Sequence, residues 1–172
     1  MASFVERSSA GGRLELASLD DLVAYCYAVA GIVGEMLTEL FLLAAPALAP
    51  AADFLRRRAA RFGEGLQLVN ILKDSAGDAV QGRRYLPPSV DRAQVFALAR
   101  RDLETAAAYV RALQRNDAPR GTVAFTALPL LLARATLDRV EQEGPGAKLT
   151  RPEVFALVAR LEAALDAGRP AV

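Results

Sequence analysis

Apolar residues return every three or four positions along almost the whole chain, and proline and glycine clusters are what interrupt them. That spacing belongs to a helix buried along one side, whereas a half-buried strand needs strict alternation, and no convincing alternating run is present. The expected fold is all-α, with five helices. The first should start near Ser18 or Asp20, whose side chains suit a cap and a first turn, and should end before Pro46. The second is expected from about Ala51 to Val80, with Gly82 supplying the stop. The third spans about Arg92 to Arg115 and is ended by the turn formers of "NDAPRG". The fourth covers about Thr122 to Glu143, and Pro129 inside it predicts a kink. The fifth opens at "TRPE", where Thr150 can cap and Pro152 suits an early helical position, and continues to about Asp166. No internal repeat is visible, and residues 1–16 and 168–172 are expected to be loose ends.

A length of 172 residues suits one domain, residues 1–172, in which residues 16–90 carry the motif-bearing helices and 91–167 the C-terminal ones. Hydrophobic residues at 53% argue against disorder, and a net charge of +1 provides no field for capturing nucleic acid, so no nucleic-acid partner is expected. Histidine is absent, which removes Ser-His and Cys-His nucleophile pairs and His-based zinc sites. Carboxylates, Lys, Arg and Tyr are left to carry any chemistry. The single cysteine, Cys26, cannot form an internal disulfide and reads as a small buried apolar residue. The apolar run "FLLAAPALAPAA" is broken by Pro46 and Pro50, so no membrane span is expected. The start "MASFVERSS" lacks the pattern of a secretion signal, and a cytoplasmic location is expected.

The chemistry concentrates in "QLVNILKDSAGDAVQGRRYLP", residues 67–87. At about 100° per residue, Gln67, Asn70, Asp74 and Asp78 fall within an arc of roughly 80° on the second helix. Leu66, Leu68, Val69, Ile71 and Leu72 fill most of the remaining circumference, so this helix is expected to be buried nearly all round. Two acids in such a setting need neutralising. Either they pair with nearby arginines such as Arg83 or Arg84, or they share a hard divalent cation such as magnesium, with Arg83 reaching the same anion. The spacing leaves both readings open.

The segment "YCYAVAGIVGEMLTELF" at residues 25–41, followed about 25 residues later by "LQLVNILKDSAGDAVQGRRYLP", resembles the squalene/phytoene synthase family of head-to-head prenyltransferases. The likeness covers roughly residues 14–90 at motif level. It implies an isoprenoid synthase fold, with helices around an apolar cavity and two aspartate-rich motifs binding magnesium and diphosphate at its mouth. By that resemblance Asp74 and Asp78 match the first and last acids of the second motif and would be metal ligands. Gln67 and Asn70 match the polar positions before it, and Arg83 matches the arginine of its tail. Tyr25 matches a tyrosine lining the cavity and implicated in the carbocation steps. The implied substrate is a prenyl diphosphate, farnesyl or geranylgeranyl; whether NADPH is used is not readable.

These residue types suit that chemistry, because an allylic diphosphate ionises only if the leaving group is stabilised, and the cation then needs dry walls. Val29, Ala30, Gly31 and Gly34 offer a small-residue surface that could line a cavity or pack helix on helix, and both can hold together. Tyr27 reads as an ordinary core aromatic. Arg56, Arg57, Arg58 and Arg61 read as a solvated face, with anionic lipid at a membrane periphery as the second reading.

Two departures from the family pattern matter. Gly77 stands where the family usually has Glu, which removes one acid and puts a residue costing about 1 kcal/mol relative to Ala inside a helix. No second Asp-x-x-x-Asp occurs, and 24 residues precede Tyr25, so the upstream helices and the first motif are expected from elsewhere. The fold implied is a partial isoprenoid synthase, the C-terminal half of a split enzyme whose partner chain carries the first motif. The alternatives are a non-catalytic relative acting in binding or assembly, and a chain that closes its core as a homo-oligomer.

Overall fold

The computed structural model describes residues 15–172. Five α-helices follow in order. Helix α1, Leu19–Ala44, contains a π-helical turn at Tyr27–Gly31. A 3₁₀ segment, Pro46–Ala51, leads into α2, Ala52–Val80; then come α3, Arg92–Arg115, α4, Arg120–Glu143, and α5, Arg151–Asp166. No strand occurs among the described residues, only an isolated parallel bridge between Glu15 and Arg84. The all-α expectation holds and each helix lies within two residues of its expected limits.

Local chemistry sets these limits. Ser18 Oγ accepts from the Asp21 N–H at 3.1 Å, and Asp91 accepts from the Ala93 N–H at 3.0 Å. Thr150 and Glu153 form a reciprocal capping box, with Pro152 in the first turn. Gly82, at φ +73°, stops α2: its N–H donates to the Ala79 carbonyl at 3.1 Å and the Arg83 N–H donates to the Asp78 carbonyl at 2.8 Å. That paired arrangement is the Schellman termination, which needs a left-handed residue at this position. Helix α4 runs without a break through Pro129, two residues longer at its start than the sequence suggests.

Helix α2 is central and packs against α1, α3 and α4, while α4 also carries α5. Small residues on two of its faces allow this. A Cβ on Gly63 would lie 2.1 Å from the Ala30 carbonyl oxygen of α1, and one on Gly65 would lie 3.1 Å from the Asp102 Cβ of α3. Around these contacts Leu22, Leu55, Leu68, Leu72, Leu103 and Leu113 are fully buried.

Three expectations need correction. The second helix is not buried all round: beyond Leu72 it projects from the core, with Asp74, Gly77 and Val80 exposed. The ends are not loose where they are described. Leu16 is buried and its N–H bonds the Arg84 carbonyl, and Gln114 ties down the tail by donating to the Arg169 carbonyl and accepting from the Ala171 N–H. Residues 1–14 lie outside the described residues. Tyr27 is exposed, its hydroxyl donating to Glu35 at 3.1 Å. By length and composition alone α1 is long and apolar enough to cross a membrane, a property that core helices of soluble proteins share.

Candidate functional site

Helices α1 and α4 both lie on α2, and the space between them is an apolar groove of about 590 Å³. One wall is α1, with Val29, Ala30, Val33, Gly34 and Leu37; the other is α4, with Phe125, Leu128 and Pro129. The floor is α2, from Ala59 and Phe62 to Leu66, Gln67 and Asn70, joined by Tyr109 of α3. Gln67 and Asn70 are thus the polar end of an otherwise apolar trough, and Asp74 and Asp78 follow one and two turns further along the same α2 face. Deep in the trough Thr38 Oγ1 and the Tyr109 hydroxyl are hydrogen-bonded at 2.9 Å, so neither buried hydroxyl is left for a ligand to satisfy.

The crossing of α1 on α2 explains the small residues. A Cβ on Gly34 would sit 2.2 Å from the Ala59 carbonyl oxygen, so Gly34 both lines the groove and permits close packing. Gly31 is buried outside the groove lining, where an added Cβ would meet the Tyr27 ring at 2.7 Å. Tyr25 also lies apart from the groove lining. Its ring packs on Tyr85 with centroids 5.0 Å apart, and its hydroxyl is held far above the usual phenol range by burial, then by Tyr85 and by the charge of Asp78 among others. Tyr25, Tyr85 and Asp78 therefore share one neighbourhood at the end of α2.

The two acids are not locked against arginines among the described contacts. Asp74 is half-exposed and meets Lys73 Nζ at 3.3 Å; Asp78 is partly buried; Arg83 is exposed. Two carboxylates one turn apart suit a hard cation that keeps waters and takes its remaining oxygens from a phosphate, although no cluster of three or more metal-ligating side chains occurs among the described residues. Arg83 lines a separate hollow with Arg84, Arg92 and Ser75 on another side of α2. The arginine cluster is largely committed elsewhere: Arg56 holds Glu39 through two bonds, Arg58 lies 3.5 Å over the Phe54 ring, and Arg61 holds Glu64 at 2.8 Å.

The sequence reading missed the buried acids Glu64 and Asp102, which meet across the α2–α3 contact and share Arg61. Asp102 Oδ2 has no hydrogen-bond partner, and Arg61 is 4.0 Å from it. Burial, with the Glu64 charge adding to it and Arg61 and Arg101 opposing, raises the Asp102 carboxyl from 3.8 to about 6. Because the folded value lies above the unfolded one, the folded chain binds more protons in this window, and stability should fall as pH rises from about 4 to about 6. The expected loss is about 2 kcal/mol. Asp102→Asn should remove that slope and melt higher than the parent at pH 8; equal pH profiles in thermal melts would refute it. Burial, with the charges of the same two acids adding to it, pushes the Cys26 thiol up to about 12, which suits an inert core cysteine.

The profile of the family described as squalene/phytoene synthase matches residues 1–95. Phytoene synthase of Thermus thermophilus is 38% identical over 82 residues, covering 48% of this chain and 26% of that protein. The 15-cis-phytoene synthase of Enterobacter agglomerans is 34% identical over 109 residues, covering 55% of this chain and 35% of that protein. Phytoene synthase 3, chloroplastic, of Zea mays is 43% identical over 70 residues, covering 41% and 16%. The chain therefore spans about a third or less of the length of these relatives. The matched region holds α1, α2 and the motif that ends α2, and on that ground the chain belongs to the squalene/phytoene synthase family.

Proposed function

We propose that this chain provides the second diphosphate–magnesium half-site of a head-to-head prenyltransferase, and that a partner chain carrying the first aspartate-rich motif completes it. One observation carries the reading: the Gln67, Asn70, Asp74, Asp78 face continues from the polar end of an apolar groove out to the open end of α2. In it Asp74 and Asp78 hold magnesium, the amides of Gln67 and Asn70 orient the diphosphate, and Arg83 swings in to the same anion. Magnesium, when bound, supplies the Lewis acidity that stabilises the departing diphosphate. The groove keeps water from the prenyl chain. Tyr25 is assigned to the reacting carbons at the mouth, near Asp78.

The need for a partner is supported by the outer face of α1. Ile32, Val33, Met36, Leu40 and Leu43 leave an apolar stripe in the open along the helix that forms one groove wall, with Met36 54% and Leu43 80% exposed. A contiguous apolar surface of this kind marks a site of association. The test is synthesis of the condensed hydrocarbon from farnesyl or geranylgeranyl diphosphate by this chain alone and mixed with a chain supplying the first motif. Product from the mixture alone is expected. The competing reading, a binding or assembly protein with a vestigial site, predicts that calorimetry detects no magnesium-dependent binding of an unreactive prenyl thio-diphosphate under any pairing.

A further inference from the structure

We propose that the hollow beside the end of α2, lined by Arg83, Arg84 and Arg92, is a binding site for a phosphate group. The site is additional to the half-site and does not rest on it. The hollow measures about 380 Å³ and draws its residues from the last two turns of α2, the loop after it, the start of α3 and Pro145 beyond α4. Ser75 and Ala79 lie about 100° or more round the helix from Asp74, so the hollow is set off from the acids. Its lining holds three guanidinium groups and no carboxylate. Among the described ion pairs only Glu15 reaches any of the three, 4.0 Å from Arg84, and both of those side chains are more than half exposed. Three like charges around one hollow repel one another, and an anion between them relieves the repulsion.

Arg92 supplies the second observation. Its guanidinium is partly buried, and the groups it meets are neutral. Nη1 donates to Ser75 Oγ at 3.2 Å, Nη2 donates to the Leu72 carbonyl at 3.0 Å, and the group stands 5.4 Å from the centre of the Phe96 ring. Burial with no carboxylate to offset it holds this guanidinium below its usual range. The fork is thus fixed in place without being neutralised. Two of its five N–H groups are used, which leaves the others for an oxyanion. Planar forks match phosphate oxygens two at a time, and a phosphate dianion balances more of the three charges than chloride or a single carboxylate does. Much of the remaining wall is apolar, with Ala76, Leu86 and Pro145, so the phosphate is the part of the ligand that is recognised.

The experiment titrates the full chain with inorganic phosphate and inorganic diphosphate in a calorimeter, at fixed ionic strength and without magnesium, so that the metal half-site stays silent. Saturable binding is expected, tighter for diphosphate. Arg84→Ala and Arg92→Gln should each weaken it about tenfold or more, the scale of a hydrogen bond to a charged group. Arg84 is exposed, so its variant reports even if Arg92→Gln fails to fold. Arg92→Lys, which keeps the charge and loses the fork, should fall between. Arg115→Ala, at the other end of α3, and the double variant Asp74→Ala with Asp78→Ala should bind as the parent does. Vesicles identify the source of the phosphate. Flotation with phosphatidic acid in phosphatidylcholine, but not with phosphatidylcholine alone, and reversal by free diphosphate would make it a lipid headgroup; bound free anions without flotation would make it a soluble phosphate compound. Both support the site. No saturable binding of either free anion, binding that Arg84→Ala and Arg92→Gln leave unchanged, or binding lost with the two acids would overturn it, and none of these results touches the magnesium-dependent half-site.

Discussion

Asp74→Ala combined with Asp78→Ala is expected to lower hydrocarbon synthesis by the complemented mixture by about 100- to 1,000-fold, the scale on which removal of a charge-stabilising group acts in a transition state. The folded chain should hardly notice. Asp74 is exposed and pairs with Lys73, and the side chain of Asp78 sits on the projecting end of α2, beyond the buried leucines. Surface changes of this kind stay within about 0.5 kcal/mol. Unchanged melting with lost synthesis assigns the two acids to chemistry. Asp74→Asn alone should give an intermediate loss, because it keeps an oxygen ligand and removes a charge. A double variant that retains synthesis would remove both acids from the mechanism, whatever the groove contains.

The parts of this molecule that were readable beforehand are those whose physics is local. Ser18, Thr150, Gly82 and the "NDAPRG" turn act on backbone groups within a few residues, so helix limits followed from them. The polar face of α2 was readable for the same reason: a period of 3.6 places Gln67, Asn70, Asp74 and Asp78 together in any environment. What depends on contacts between distant residues was not readable. Phe125 becomes a groove wall only because α4 settles beside α1, and Glu64 and Asp102 become an acid pair only when α2 meets α3. The burial of α2 was overestimated because Ala76, Ala79 and Val80 look like core residues yet face solvent past the end of the packed region. Tyr27 was misplaced because an aromatic in an apolar run looks like core, yet it follows the buried Cys26 by one residue, about 100° round the helix, and its ring leaves the core for Glu35.

Gly63→Ala should be, with Gly34→Ala, among the most damaging methyl additions to the described part of this chain. The new Cβ would stand 2.1 Å from the Ala30 carbonyl oxygen and 2.6 Å from its carbon, and backbone atoms cannot rotate away as a side chain can. Helix α1 must then lift off α2, and it carries Val29, Val33 and Leu37 of the groove wall with it. Overpacking costs of about 1–3 kcal/mol assume neighbours that adjust, so about 3 kcal/mol or more is expected here. That corresponds to a fall in Tm of roughly 6–12 °C for a chain of this size. Gly77→Ala is the matched control: nothing lies within 4 Å of a Cβ there, and replacing an exposed mid-helix glycine should raise stability by about 0.5–1 kcal/mol. The two substitutions add the same atom to the same helix and should move the melting temperature in opposite directions. If Gly63→Ala melted with the parent, the close crossing of α1 on α2 would be wrong, and the groove that depends on where α1 rests would lose its wall.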